Sequence, residues 1–202
     1  MRAVSKKVKA GARPPVVGMG KSDGGGGGGG GAPATGGSAA SDLMNRGVEA
    51  SDILAVDTDE KALEQAREAG IVTLEGNASS RAVLRAAAIN RARAVIVAPN
   101  RDDTAVLITL TVREINPTVH IVAAGKEQEN LHLLRQGGAN EVIDATAAVG
   151  RMLGLGTEAP GAVQVVDELL DAGTGMELVE IAPDTTDAGC EVPTDATLIA
   201  VV

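Results

Sequence analysis

The chain has 202 residues, with 27 acidic side chains against 18 basic ones, two histidines, one cysteine and no Phe, Tyr or Trp. An acidic body without aromatics argues against nucleic acid, which needs a basic surface and stacking platforms. A lone thiol, Cys190, excludes an internal disulfide framework, and so few His and Cys leave no metal site to expect. No apolar run approaches the roughly 18–20 residues of a membrane span, so a cytoplasmic chain is expected.

Charge and glycine are both unevenly placed. Residues 1–22 hold six bases and no acid, and 12 of the 26 glycines fall within residues 18–41, eight of them consecutive from Gly24 to Gly31. Residues 1–15 read as a basic flexible tail, either a disordered terminus or a strip drawn to anionic lipid or a membrane partner. Val16-Val17-Gly18-Met19-Gly20 opens like a strand running into a glycine-rich phosphate loop, but Asp23 stands where the third glycine is expected. The following helix is replaced by polyglycine, which costs about 1 kcal/mol per residue relative to alanine in a helix. Residues 21–40 therefore read as a disordered insert, with Ala39–Asn45 retaining at most a last helical turn.

From Ser51 a regular alternation begins. Ile53–Val56 is a short apolar run, Asp57-Thr58-Asp59 supplies capping residues, and a helix over 59–69 closes at Gly70. Ile71–Leu74 leads through Gly76-Asn77-Ala78-Ser79 into a helix ending near Ala87. Ala94–Ala98 turns at Pro99-Asn100 into a helix over 102–116, ended by Pro117. Val119–Ala123 precedes a helix over 127–136, and Glu141–Ile143 precedes one over 146–155. Apolar runs separated by helices describe an α/β fold, a Rossmann-like doubly wound parallel sheet over 16–155. Beyond it, 156–161 reads as a linker, 163–170 as a short helix, and 176–181 and 197–202 as strands. Residues 156–202 then form a small α+β C-terminal appendage whose last apolar run has no partner after it.

Ligands of open α/β sheets lie at the carboxyl ends of the strands. Asp57 ends the second strand, where a carboxylate accepts hydrogen bonds from ribose hydroxyls and repels a 2′-phosphate; the other reading, for Asp57 and its neighbour Thr58, is helix capping. Gly18 and Gly20 allow close approach of a pyrophosphate. Asn77 and Ala78, and Ala98, Pro99 and Asn100, lie at the ends of the third and fourth strands, where turn chemistry alone also accounts for them. No nucleophile–base or Tyr–Lys arrangement is visible. His120 and His132 read as structural, and Cys190 lies among acids that disfavour its thiolate. The helix over 102–116 is apolar around most of its circumference, so a second apolar face needs either a subunit or the C-terminal appendage.

As an ordered set, Ile-Leu-Ala-Val-Asp (53–57), Glu-Gly-Asn-Ala-Ser (75–79), Arg-Ala-Arg-Ala-Val-Ile-Val-Ala-Pro-Asn-Arg-Asp-Asp-Thr-Ala-Val-Leu (91–107), Arg-Glu-Ile-Asn-Pro (113–117), Glu-Asn-Leu-His-Leu-Leu-Arg-Gln-Gly-Gly-Ala (129–139) and Gly-Arg-Met-Leu-Gly-Leu (150–155) resemble the regulator-of-potassium-conductance domain (RCK, or TrkA-N), as found in cytoplasmic regulatory regions of potassium channels. The resemblance implies a non-enzymatic sensor that pairs with itself, as a homodimer or higher assembly. It implies binding of NAD, NADH, ATP or ADP, and transmission of that binding to a potassium channel or transporter subunit at the inner face of the membrane. The family's usual Asp after the third strand is Asn77 here, and its first helix is not recognisable. A NAD-dependent oxidoreductase, and an assembly module that has lost its ligand, are the competing readings.

Overall fold

The computed structural model describes residues 16–19 and 35–170. The basic tail 1–15, Gly20, the polyglycine run, Cys190 and the strands expected at 176–181 and 197–202 lie outside the described residues. Six parallel strands, β1 (Val16–Met19), β2 (Ile53–Asp57), β3 (Val72–Glu75), β4 (Ala94–Val97), β5 (His120–Gly125) and β6 (Glu141–Asp144), form one sheet in the order β3-β2-β1-β4-β5-β6. The short β1 stands in the middle, with Val16 beside Ile53 on one side and Ala94 on the other. Consecutive strands joined by helices run outward in both directions from it, which is the doubly wound arrangement.

Strand alternation assigns each side chain to a face. Along β2, Val56 belongs to one hydrophobic cluster and Ile53 to another. The larger cluster joins Val95, Val97, Ile121 and Ala123 to Leu84 of α3 (Arg81–Ala86), Ala105, Ile108 and Val112 of α4 (Asp102–Ile115) and Leu134 of α5 (Leu131–Gln136). The smaller joins Ile53 and Ile71 to Ala40 of α1 (Thr35–Asn45), with Ala66 of α2 (Glu60–Glu68) at its margin. With no aromatic ring to fill volume, the largest fully buried side chains are Ile and Leu.

Local chemistry explains the element ends. The Asp59 side chain accepts from Lys61 N and caps α2, which ends before Gly70 at φ +82°, a conformation that favours glycine. The Asp144 carboxylate accepts from Ala147 N at 2.8 Å and starts α6 (Ala145–Glu158).

Three expectations need correction. The insert expected over 21–40 does not reach residue 40, because α1 begins at Thr35; Ala40, Leu43 and Met44 gain apolar contact with Ile53 and Ile71, which offsets the cost of Gly36 and Gly37. The linker expected over 156–161 is helical: α6 continues to Glu158 and α7 (Pro160–Leu170) follows after Ala159 alone. Proline suits a first helical position, where its missing N–H is no loss. The helix expected over 127–136 is a 3-10 turn, Gln128–Asn130, followed by the two-turn α5.

Candidate functional site

Because all strands are parallel, their carboxyl ends share one edge, and the order reverses there between β1 and β4. Such a reversal opens a crevice, since the connections leaving its two strands depart toward opposite faces. Asp57 ends β2 beside the end of β1 and is 7 % exposed. Its Oδ1 accepts from the backbone N–H of Thr58 at 2.7 Å and of Asp59 at 2.9 Å, while its carbonyl accepts from Gly76 N at 2.9 Å. The cap of α2 is Asp59, so Asp57 does not cap that helix; its Oδ1 shapes the turn before it, and that turn orients the carboxylate. Register sets Glu75, at the end of β3, beside Asp57.

The other expected positions divide by exposure. Thr58, Asn77 and Asn100 are exposed on this edge. Asn77 Oδ1 accepts from Ser79 N (2.9 Å) and Ser79 Oγ (2.7 Å), an Asx turn that leaves Nδ2 with no partner among the described residues. Ala98 and Pro99 are buried, and Ala78, 1 % exposed, belongs to the larger core cluster, so its part is packing. His120 opens β5 at the opposite edge, and His132 is exposed on α5.

Gly18 stands beside Ala55 and Ile96. A methyl group added there would meet no heavy atom within 4 Å among the described residues. It opens instead onto a cavity of about 180 Å³, walled also by Gly36, Gly37, Ala40, Ala55 and Asp57. Ligand pockets begin at roughly 300 Å³. The cavity alone is too small for a nucleotide, which would have to lie along the edge outside it. The open approach at Gly18 and the fixed carboxylate fit a ribose-bearing ligand in that position.

Sequence reasoning missed a buried carboxylate on the same edge. Asp102, 8 % exposed at the start of α4, accepts from Lys126 N (3.0 Å to Oδ1) and Glu127 N (2.9 Å to Oδ2). Lys126 Nζ returns a hydrogen bond to the Asn100 carbonyl at 3.0 Å. These bonds tie the loop after β4 to the loop after β5. The close approach needs Gly125, where a Cβ would lie 2.5 Å from Leu131 Cδ2. On the same loop, the Arg101 guanidinium bonds both oxygens of Asp103 (3.0 and 2.5 Å), and with the Thr104 amide it holds that carboxyl down at about 2.

The TrkA-N domain family model matches residues 30–145. The chain belongs to that family. Potassium channel protein 1 of Methanocaldococcus jannaschii is 27 % identical over 156 residues, covering 72 % of this chain and 47 % of that protein. Probable potassium channel protein 2 of the same organism is 33 % identical over 93 residues, covering 45 % and 27 %. The chain thus spans less than half the length of these curated relatives. Among solved structures, the TrkA-N domain of the Escherichia coli inner membrane protein ybaL matches with a TM-score of 0.58 at 20 % identity, over 72 % of this chain and 98 % of that one. The GsuK channel bound to NAD matches with a TM-score of 0.57 at 25 % identity, over 73 % and 24 %. This TrkA-N domain is therefore a Rossmann-like α/β unit related to the RCK domains of potassium channels. The family match begins only at residue 30; the structure adds the central strand that precedes it. No helix among the described residues is long and apolar enough to cross a membrane.

Proposed function

We propose that this TrkA-N domain is a regulatory, non-catalytic sensor that takes NAD(H) or an adenine nucleotide along the carboxyl edge of its sheet and couples binding to a potassium channel or transporter. Residues 16–155 are the sensing domain, and 156–202 are a C-terminal lobe joined to it through α6 and α7. The observation that carries the reading is the fixed Asp57 carboxylate beside the central strand, next to the open approach at Gly18. The NAD-bound GsuK channel supports the ligand class. Asp57 and Thr58 meet the ribose, the free amide of Asn77 faces the adenine side, and Gly18 and Gly20 allow the phosphates to approach. Ala98, Pro99 and Asn100 form the opposite wall.

Binding can act at a distance only if the ligand prefers one arrangement of paired domains over another. The pairing surface is α4. Leu107 and Leu110 are 55 % and 48 % exposed on the side away from buried Ala105, Ile108 and Val112, so a second copy would cover them. The sensor reading is tested by melting the protein against rising NADH, NAD, ADP and ATP. A melting temperature that climbs with ligand as RT ln(1 + [L]/Kd) supports it. No shift at about 1 mM of every ligand would leave the assembly-module reading, and turnover of NADH with alcohols or acids would leave the oxidoreductase one.

A further inference from the structure

We propose that Lys126 is a positioning residue that joins the β4 wall of the crevice to the start of α6, so that the two open and shift as one unit. Asn100 belongs to that wall in the nucleotide reading above, on which the ligand's part in this coupling rests. Lys126 uses all of its polar groups, each on a different element. Its ammonium donates to the Asn100 carbonyl at 3.0 Å, its backbone N–H donates to Asp102 Oδ1 at 3.0 Å, and its carbonyl accepts from Thr146 Oγ1 at 2.8 Å. Asn100 stands in the loop after β4, Asp102 opens α4, and Thr146 lies in the first turn of α6. Arg113 is also richly bonded, but to Pro117, Val119, Gly138 and Asn140, which precede β5 and β6 at the opposite edge.

The wall side of this junction is closely held. Asp102 is buried and takes a second backbone N–H, from Glu127, at 2.9 Å. A Cβ on the preceding Gly125 would meet Leu131 and Leu134, and register sets Gly125 beside Asp144, the cap of α6. The loop after β4, the start of α4 and the Lys126 backbone are thereby one body.

The helix side is lightly held. Neither α6 nor α7 contains a buried residue. Apart from the Asp144 cap, hydrogen bonds of side chains join this helix pair to the other described residues at two points. One is Thr146 to Lys126; the other is Arg46 Nη2 to the Leu170 carbonyl at 2.8 Å. Where few apolar contacts are buried, local opening costs little and a single bond changes its frequency. A ligand that favours one position of the wall then favours the matching position of α6, by no more than its differential affinity for the two.

Amide hydrogen exchange of the full chain tests the junction, read at 104–106 in α4 and at 147–151 in α6. In the ligand-free protein, Thr146→Val removes the bond to the Lys126 carbonyl and should speed exchange across the junction, at 104–106, about two- to tenfold. Lys126→Met keeps the backbone N–H and carbonyl but loses the ammonium, and should speed exchange at 147–151 to a similar degree. Lys126→Arg keeps a cationic donor and should exchange like the parent. Exchange in α2 should stay unchanged in all three variants, which a general loss of stability would not allow. With NADH, the parent should slow exchange at both segments, and Lys126→Met at 104–106 alone. Variants that loosen only their own side, or a Lys126→Met protein whose α6 still responds to NADH, would overturn the proposal. A parent that binds no NADH would overturn the nucleotide reading instead, and the ligand-free exchange would still decide the role of Lys126.

Discussion

Asp57 is 7 % exposed, and two backbone amides donate to one of its oxygens, which offsets part of the cost of burying a carboxylate. That double duty separates two substitutions. Asp57→Asn keeps an acceptor for Thr58 and Asp59 and removes the charge, so NADH affinity should fall about tenfold or more while the unfolding midpoint stays close to the parent. Asp57→Ala removes the acceptor as well and should also cost about 1 kcal/mol of stability, as losing a cap does. Calorimetric titration and urea unfolding of the two variants check this, and equal affinity in parent and Asn variant would refute the ribose role. Asp103 offers a pH prediction. Its carboxyl lies below the ordinary 3.8, at about 2, chiefly through Arg101 and then the Thr104 amide. A folded value below the unfolded one means a contribution present above about pH 4 that is lost as pH falls toward 2. Carboxyl NMR should show that low midpoint, and Arg101→Gln should move it back toward 3.8; an unshifted midpoint in the parent would contradict the pairing. Asp57 was legible in the sequence because a carboxylate directly after an apolar run marks the end of a parallel strand. Asp102 was not: an acid opening a helix reads as a cap, and its partners Lys126 and Glu127 lie 24 and 25 residues away.

At the scale of elements, legibility followed how local the determining forces are. β2, β4 and β5 are short apolar runs bounded by turn residues, and the structure puts their ends within two residues of the expected positions. Of the glycine-bearing helices, α1 and the last turn of α6 were misread because propensity was weighed without context, while the helix expected through Gly150 and Gly154 is present. α1 survives Gly36 and Gly37 through its contact with β2, and α6 carries Gly150, Gly154 and Gly156 with Thr157 Oγ1 bonded back to the Leu153 carbonyl at 3.0 Å. Gly125 is the opposite case, a glycine that looks incidental and is closely packed by leucine side chains. Gly125→Ala would push its methyl into Leu131 and Leu134, both buried, and should lower stability by about 1–3 kcal/mol in urea unfolding. An unchanged midpoint would mean that the β5–α5 junction has slack that these distances do not allow. On α4, Leu110→Glu places a charge on the exposed apolar side and should convert a dimer to a monomer in light scattering. A parent that is already monomeric at high concentration would remove α4 as the pairing surface.

Across the whole molecule, parallel strands bring all the carboxyl ends of the sheet to one edge. The carboxyl edge carries Asp57 and Asp102 near the crevice, and Glu75 and Asp144 at the ends of the two outermost strands. The account rests on the crevice. Its most direct test is the map of backbone amide shifts in labelled protein as NADH is added. The account predicts saturable changes concentrated at the amides of Gly18, Asp57, Thr58, Asn77, Ala78, Ala98 and Asn100. Changes confined to other surfaces, or none at about 1 mM ligand, would contradict it.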